Sequence, residues 1–465
     1  MSEELAQNFV DFVNKSPTQY HATTELAKMF SSNGFTQLHE KEAWSESLEK
    51  GKSYFITRNS SAIIAFSLGG NYKSENGFTI VGAHTDSPGL RVKPISKKQT
   101  QGSIQIAVST YGGGLWYTWF DRDLTIAGRV LVKKDNKVKQ ELIHIKKPIM
   151  NIPNLAIHLN RGVNSKGFTP NTENHLIPIL STEISEALNK TPKTTNKDHH
   201  PLLLSIVAKE LKIDIEQIVD FELSIVPYEA AVIGGQFSEF IYSPRLDNLM
   251  SSYAGAMGII EGALNTDGLE KDTMARVFVA FDNEEIGSST LCGARSNFLK
   301  SIIKRITYNF INEEKTKKSE VFNIALRNSF LMSADNAHAV HPNYSSYHES
   351  RHQCKMNAGP VFKTNLNGKY TTQVVSGFII KEIARFNKIP VQDFVVRNDS
   401  GCGSTIGPAL STQLGLNAID IGVPQWGMHS IRETAGTLDL FYIMKLFVYF
   451  YNQYSQVSAT IEELD

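Results

Sequence analysis

The chain has 465 residues, 41% of them hydrophobic, and its 47 Lys and Arg balance 47 Asp and Glu, so the formal net charge is zero. A neutral chain has no global basic field, which argues against nucleic acid or an anionic membrane surface as a partner. A single compact core rarely grows to this length, so two or three domains are expected.

Cysteine content and the apolar segments indicate the compartment. Cys292, Cys354 and Cys402 show no CxxC spacing, so a disulfide framework is not expected and a reducing compartment fits. The N-terminus lacks the basic start and apolar core of a secretory signal. The strongest apolar run, 441–451, contains Lys445 and is too short to span a bilayer, which favours a buried helix. A cytoplasmic protein without a membrane segment is predicted.

The first 95 residues have the pattern of an α/β unit. Apolar residues recur at helical spacing over 4–34, with a break at Ser16 and Pro17. Three strands are predicted next, over 53–57, 62–66 and 78–82. The third is apolar on both faces, as expected of a central strand covered by helices. His84 follows this strand directly, and ligands of open α/β sheets gather at such strand ends.

From about residue 96 the pattern changes to short β-like segments separated by polar turns. These segments lie at 104–109, 125–132, 140–145 and 221–226. A polar stretch rich in Lys and Thr, 189–200, is predicted to be an exposed loop. We therefore predict an inserted β-rich domain over 96–229, between the two parts of a second domain, 1–95 and 230–465.

The α/β pattern resumes near Gly234. A helix rich in Ala and Met is predicted over 248–264. Apolar strands are predicted over 275–281, 329–333 and 418–422. Acidic or histidine residues lie just past each of these strands, as His84 does in the first part of the chain.

Five side chains placed in this way can bind metal. They are His84, Asp247, Glu285, Asp335 and His429. Four of them follow apolar strands, and Asp247 immediately precedes the predicted helix. Two histidines and three carboxylates can bind two metal ions if one carboxylate bridges the ions. Imidazole and carboxylate together suit zinc, with manganese or cobalt as possible substitutes.

Two further acids would complete a hydrolase site. Glu284, next to a ligand, would be free to take a proton from the attacking water and pass it to the leaving amine. Asp86, two residues after His84, is placed to orient that imidazole. Each residue alone has an ordinary explanation, because an Asp past a strand is often a helix cap and a Glu pair is often solvated. The prediction therefore rests on the joint pattern.

Longer segments surround these residues. The segment 81–94, VGAHTDSPGLRVKP, contains His84 and Asp86. Others, in chain order, are FVNKSP at 12–17, IPNLAIH at 152–158, SPRLDNL at 243–249, DNEEIGS at 282–288, SADNAHA at 333–339, RNDSGCGSTIGP at 397–408 and MHSIRE at 428–433. Together they resemble the aspartyl aminopeptidase family of metallopeptidases over nearly the whole chain. Gly89 and Cys402 depart from the family pattern but replace no expected metal ligand.

The resemblance implies roles for the metal-binding residues. His84 and Asp335 would bind one zinc ion, and Glu285 and His429 the other. Asp247 would bridge the two ions, and the neighbouring Glu at position 284 would be the general base.

The resemblance also implies substrate contacts. The matching residues are His158, His338, Lys363 and Tyr370. In this family the histidine that matches His158 reaches the active site of a neighbouring subunit. An exopeptidase must also bind the free α-amine of its substrate, which the carboxylates of Glu284 and Asp335 can receive. Lys363 is the candidate cation for an acidic first side chain, although without the resemblance an exposed surface lysine would be expected there.

The implied fold class is α/β, with a mixed central sheet flanked by helices and an inserted β-rich dimerisation domain. The implied assembly is a homododecamer built from dimers, with enclosed active sites. The implied function is the release of N-terminal Asp or Glu from peptides with two Zn²⁺ ions. Two alternatives are a two-metal deacylase or aminopeptidase of another specificity, and a catalytically silent assembly or cargo protein on the same fold. The intact Glu284 argues against the second.

Overall fold

A computed structural model of the chain describes residues 2–311 and 317–462. The largest of its sheets has nine strands. In spatial order these are Thr36–Gln37, Ser53–Arg58, Ala62–Leu68, Ala275–Phe281, Phe78–His84, Phe330–Ala334, Asn417–Gly422, Val361–Thr364 and Gln392–Val395. The sheet is mixed, as predicted, but the four strands from Ala275–Phe281 to Asn417–Gly422 run parallel to one another. Their carboxyl ends therefore meet at one edge of the sheet.

Helices cover both faces of this sheet. One face packs against Ser2–Lys15, Gln19–Ser32, Leu246–Leu264, Val374–Phe386 and Thr437–Ser458, and the other against Phe298–Asn309, Lys318–Arg327 and Ile406–Leu414. Side chains alternate between the two cores along Ala275–Phe281, since Phe278 and Ala280 enter one and Val277 and Val279 the other. This is why the central strands are apolar throughout.

A separate six-stranded sheet is formed by the middle of the chain. Its strands, in spatial order, are Lys137–His144, Leu124–Lys134, Ile218–Pro227, Gly89–Thr100, Ser103–Tyr111 and Ile179–Thr182, and every pair is antiparallel. They form their own core with the helix Pro201–Leu211, beside the shorter helices Val163–Lys166 and Glu183–Asn189. The predicted domain boundaries at 96 and 229 stay predictions, and the strand Gly89–Thr100 crosses the first of them.

A third sheet, of five very short strands, was not predicted. Its strands are Val232–Gly234, Phe240–Ser243, Glu433–Gly436, Pro424–Trp426 and Ala337–His338. Strands of two to four residues carry too little alternation to be recognised in a sequence. This sheet lies beside the ends of the central strands and supports the loop that contains His429.

Most predicted elements are present with slightly different ends. The predicted helix 248–264 is observed as Leu246–Leu264, although the backbone of Asp247 is not helical. The predicted loop 189–200 is mainly exposed, but its last two residues, His199 and His200, are buried, so that part of the prediction is wrong. The C-terminal apolar run lies in the buried helix Thr437–Ser458, as predicted. Within 2–311 and 317–462, no helix combines the length and apolar character that a membrane span requires.

Candidate metal centre

Three of the predicted ligands lie at the carboxyl edge of the nine-stranded sheet. His84 is the last residue of the central strand Phe78–His84. Glu285 lies in the single helical turn that follows the strand Ala275–Phe281. Asp335 comes directly after Phe330–Ala334. Neighbouring parallel strands thus bring residues from distant parts of the sequence to one place.

The other two predicted ligands reach the same place from different elements. Asp247 lies at the start of the helix Leu246–Leu264, where its backbone leaves the helical region (φ −80°, ψ 108°). His429 lies in the loop between Pro424–Trp426 and Glu433–Gly436, with a left-handed backbone at φ 65°. The fold therefore brings together all five residues that the sequence indicated.

Asp247 lies between the two histidines. Its Oδ1 is 3.5 Å from His84 Nε2, and its Oδ2 is 3.4 Å from His429 Nε2. Asp335 Oδ1 is 3.7 Å from His84 Nε2, and Glu285 Oε1 is 3.4 Å from His429 Nε2. The ligands thus form two pairs, one on each side of the Asp247 carboxylate.

Two oxygen atoms at this centre are buried and make no hydrogen bond with any part of the chain that the structure describes. They are Asp247 Oδ1 and Glu285 Oε1. Leaving a buried acceptor unpaired costs roughly 1–3 kcal/mol, more for a charged group, so such atoms indicate a partner of another kind. Ligand atoms of His84, Asp247 and Glu285 all lie within 4.8 Å of one another. Imidazole and carboxylate donors at this spacing fit a divalent cation such as zinc.

The electrostatics of the centre favour a cation as well. Burial, and then the negative charges of Asp335 and Asp86, raise the pKa of Glu284 to about 8, against the effect of His84. Burial and the charge of Asp247 likewise raise the pKa of Glu285 well above its usual range. Carboxylates crowded in this way repel one another, and a divalent cation among them would relieve the repulsion.

The His84 imidazole is held by Asp86. Its Nδ1 lies 3.3 Å from Asp86 Oδ1 and 3.1 Å from the Asp86 carbonyl oxygen. The same carboxylate accepts hydrogen bonds from the backbone N–H groups of Glu284 and Glu285, both at 3.1 Å, and from the Tyr111 hydroxyl at 2.7 Å. Asp86 therefore links the histidine to the Glu284–Glu285 turn, and Tyr111 links both to the six-stranded sheet.

The His429 imidazole is held by backbone. Its Nδ1 lies 2.8 Å from the Gly113 carbonyl oxygen, and the Leu115 N–H donates to the His429 carbonyl at 2.9 Å. The glycine run 112–114 brings this loop close to the metal ligands. A Cβ atom at Gly112 would lie 3.2 Å from the Glu285 Cβ, and the φ of +70° at Gly112 also favours glycine.

A pocket of about 440 Å³ opens beside the ligands, and it is lined by His338, Lys363 and Tyr370. Lys363 is not the exposed lysine that the residue type alone would suggest, because only 2% of it is accessible. Its Nζ donates to the Asn336 carbonyl at 3.1 Å, lies 3.8 Å from Asp335 Oδ2 and is 5.2 Å from the centre of the Tyr370 ring. The strand Val361–Thr364 thus directs a buried ammonium group to the edge of the pocket.

Among the predicted substrate contacts, His158 is the one that the single chain does not bring to this pocket. It is exposed, in a loop of the middle region, and is absent from the residues that line the pocket. Sequence reasoning in turn missed Tyr111 and Gly113, and also Glu433, whose carboxylate accepts hydrogen bonds from the backbone N–H groups of His429 and Asp247. Glu433 lies in the recognised segment 428–433, but no spacing rule shows where its side chain points.

One protein-family model matches almost the whole chain. Residues 12–451 match the family model for aminopeptidase I zinc metalloproteases (M18). The chain belongs to this family. The predicted family and enzyme class, a zinc metallopeptidase related to aspartyl aminopeptidases, are therefore confirmed.

Individual M18 relatives match over almost the full chain. An aspartyl aminopeptidase of Dictyostelium discoideum is 43% identical over 482 residues, covering 99% of this chain and 99% of the relative. A chain in the cryo-EM structure of the Ape4 and Nbr1 complex has a TM-score of 0.96 at 44% identity, covering 100% of this chain and 88% of that one. The structure of the mApe1 dodecamer of S. cerevisiae has a TM-score of 0.87 at 31% identity, covering 99% of both chains. The predicted α/β fold class is thereby confirmed.

Proposed function

We propose that this M18 enzyme uses two zinc ions to release N-terminal Asp or Glu from peptides. The observation that carries the proposal is the position of Asp247, whose two oxygens face different histidines at 3.5 and 3.4 Å. A carboxylate that bridges two metal ions must be shared in this way. His84 and Asp335 would bind one ion, and His429 and Glu285 the other.

Zinc bound to such ligands lowers the pKa of a water molecule and polarises a carbonyl group, and manganese or cobalt could substitute for it. Glu284 is the residue that would move the proton. Its N–H is held by Asp86, and its Oε2 lies 3.9 Å from His84 Nε2, so the carboxylate is directed toward the ligands. It would accept a proton from the attacking water and deliver it to the leaving amine.

The free amine of the substrate would bind between Glu284 and Asp335. Both carboxylates are accessible from the pocket, with 14% and 13% of their side chains exposed. A protonated amine bound by two carboxylates next to the reacting bond would belong to the first residue of a chain, because an internal peptide bond carries no such charge. This would restrict the enzyme to exopeptidase action.

Lys363 would select the acidic side chain. A buried ammonium group needs an anionic partner, and Asp335 Oδ2 at 3.8 Å meets that need only in part. The carboxylate of a substrate Asp or Glu would supply a second partner, with His338 and Tyr370 lining the same pocket. Tyr370 would also donate a hydrogen bond to the developing oxyanion. The naming of the D. discoideum relative as an aspartyl aminopeptidase supports this specificity.

We further propose assembly as a homododecamer built from dimers, with residues 96–229 as the dimerisation domain and 1–95 with 230–465 as the catalytic domain. The mApe1 relative, which is a dodecamer, supports this assembly. In it, His158 would reach the pocket of a neighbouring subunit, which would explain its exposure in the single chain. All three cysteines are free, which supports a cytoplasmic location.

The experiment that tests the proposal is zinc analysis combined with a panel of aminoacyl amides, before and after chelation. We expect two zinc ions per chain, fastest turnover on Asp or Glu, loss of activity with the chelator and its return with zinc. Faster turnover on Leu or Ala would reject the acidic specificity. A zinc-loaded protein with no activity on any amide would favour the silent assembly or cargo alternative.

A further inference from the structure

Glu433 is a buried carboxylate for which the proposed reaction has no use. Only 2% of it is accessible, and it makes no direct ion-pair contact with a Lys or Arg within 2–311 and 317–462, although its charge acts on the buried Arg245. It accepts two backbone hydrogen bonds instead, from His429 N–H to Oε1 at 2.8 Å and from Asp247 N–H to Oε2 at 3.1 Å. One side chain therefore joins the segments that carry a bridging carboxylate and a histidine ligand.

A chain of buried amides fixes the direction of these hydrogen bonds. Asn336 Nδ2 donates to the Leu246 carbonyl at 2.8 Å and to Gln425 Oε1 at 2.7 Å, which uses both of its hydrogens. Gln425 must therefore offer its nitrogen on the other side, and Nε2 donates to Glu433 Oε1 at 3.2 Å. Three donors converge on the two oxygens of Glu433, so this position requires a group that only accepts.

The hydrogen-bonded amides of Asn336 and Gln425 also connect to the segment that contains Asp335. Asn336 follows Asp335 in the sequence, and its amide contacts Leu246, which precedes Asp247. Glu433, Gln425 and Asn336 thus connect the backbones around Asp335, Asp247 and His429. Hydrogen bonds to a carboxylate are about twice as strong as neutral ones, and breaking one in a buried site leaves a donor without a partner.

We propose that Glu433 is a positioning residue, which holds Asp247 and His429 at the separation that a pair of zinc ions requires. The inference rests on the two-zinc function proposed above. Glu433 binds neither substrate nor metal in this scheme. Its effect is on zinc affinity, and chiefly at the ion bound by His429, because the His429 N–H donates the shorter of the two hydrogen bonds to Glu433.

The decisive variant is Glu433→Gln, which keeps the size of the side chain. An amide at this position directs an NH₂ group at one of two backbone N–H donors, so one of the bonds to Asp247 or His429 is lost. Removing an outer partner of a metal ligand typically costs 10–100-fold in affinity. We therefore expect the dissociation constant of the more weakly bound zinc ion to rise by about 10–100-fold.

Asp439→Asn is the matched control. Asp439 is fully buried at the start of the helix Thr437–Ser458 and also accepts two backbone hydrogen bonds, from Asn357 and Gly359 at 2.5 and 2.8 Å. It does not line the pocket beside the metal ligands. The variant makes the same chemical change in a similar environment. It therefore measures how much stability is lost when a buried acid is replaced by a neutral amide.

The experiment compares zinc affinity and thermal stability in the full-length chain. Zinc is titrated against a competing chromophoric chelator, and each variant is melted with and without zinc. Asp439→Asn should lower both melting temperatures equally and leave the zinc affinity unchanged. Glu433→Gln should lose much of the zinc-dependent rise in melting temperature as well, because that rise depends on affinity.

Glu433→Asp provides a second test should the amide variant fail to fold. It retains the negative charge but is one methylene shorter, so it cannot hold both N–H groups, and its zinc dissociation constant should also rise. Wild-type zinc affinity in either folded variant would overturn the role of Glu433. A wild-type chain that binds no second zinc ion would instead overturn the two-zinc function, whatever the variants do.

Discussion

The two halves of the metal centre are built differently, although each pairs one histidine with one carboxylate. The His84 side chain is 1% exposed and lies at the end of a central strand, whereas the His429 side chain is 28% exposed and lies in a loop. A carboxylate, Asp86, holds the first imidazole, and a backbone carbonyl, from Gly113, holds the second.

The two halves also differ in how many of the sheets are needed to position their side chains. The His84 half is formed mainly by the nine-stranded sheet, where Asp335 follows an adjacent parallel strand. The His429 half needs the five-stranded sheet for its loop and the six-stranded sheet for its hydrogen-bond acceptor at Gly113. We therefore expect the first half to be rigid and the second to depend on how the sheets pack together.

The greatest loss of activity is expected on substitution of Glu284, which belongs to neither histidine–carboxylate pair. Glu284→Gln removes the proposed base, and general acid–base catalysis typically contributes 10²–10⁴-fold, so kcat should fall by about that factor. Steady-state kinetics and zinc analysis of the same preparation check this. Both zinc ions should remain bound, and full activity with both metals present would contradict the assignment of the base.

Lys363→Ala tests whether acidic specificity belongs to the His84 half, since Lys363 lies beside Asp335. Losing a hydrogen bond to a charged group should cost about 1.5–3 kcal/mol on Asp substrates, which is about 10–150-fold in kcat/KM. A neutral aminoacyl amide measured in parallel is the internal control. Equal losses on both substrates would show that the pocket, or the fold, had been damaged as a whole.

Tyr111→Phe tests the support of the His84 imidazole. It removes the hydroxyl that donates to Asp86 at 2.7 Å and so loosens the support of His84, with an expected loss in zinc affinity of about tenfold. Zinc titration measures this. Tyr451→Phe is a suitable control, because that buried hydroxyl donates to the Val277 carbonyl at 2.9 Å, in the helix-packed core. If both variants bind zinc equally well, Tyr111 has no part in holding the metal ligands.

The two halves should also differ, by a smaller amount, in how fast they release zinc. The more exposed His429 half should lose its ion to a chelator first, so release should be biphasic. His429→Ala should abolish the fast phase and leave the slow one, while His84→Ala should do the opposite. Stopped-flow measurements with a chromophoric chelator would distinguish the phases, and identical traces from the two variants would show that the halves are equivalent.

The same contrast explains what could be predicted from the sequence. The strands that precede His84, Glu285 and Asp335 are long and apolar, so their periodicity located both the sheet and the residues at its edge. These residues come together because neighbouring parallel strands end at the same edge of a sheet, and this rule needs no knowledge of contacts.

The remaining features depend on contacts between distant segments. The strand Glu433–Gly436 is too short to show alternation, and its partner Phe240–Ser243 lies far away in the sequence. Likewise, nothing near Tyr111 in the sequence indicates that its hydroxyl reaches Asp86. These contacts depend on how distant segments pack together, and they cannot be predicted from the pattern of residue types.

The two-zinc function requires that two ions share the Asp247 carboxylate. Anomalous scattering at the zinc edge, from crystals of enzyme produced with ample zinc, tests it most directly. We predict two peaks, about 3.5–4 Å apart, one beside His84 and Asp335 and the other beside His429 and Glu285. A single peak, or none beside these imidazoles, would show that the chain does not bind two zinc ions in this way.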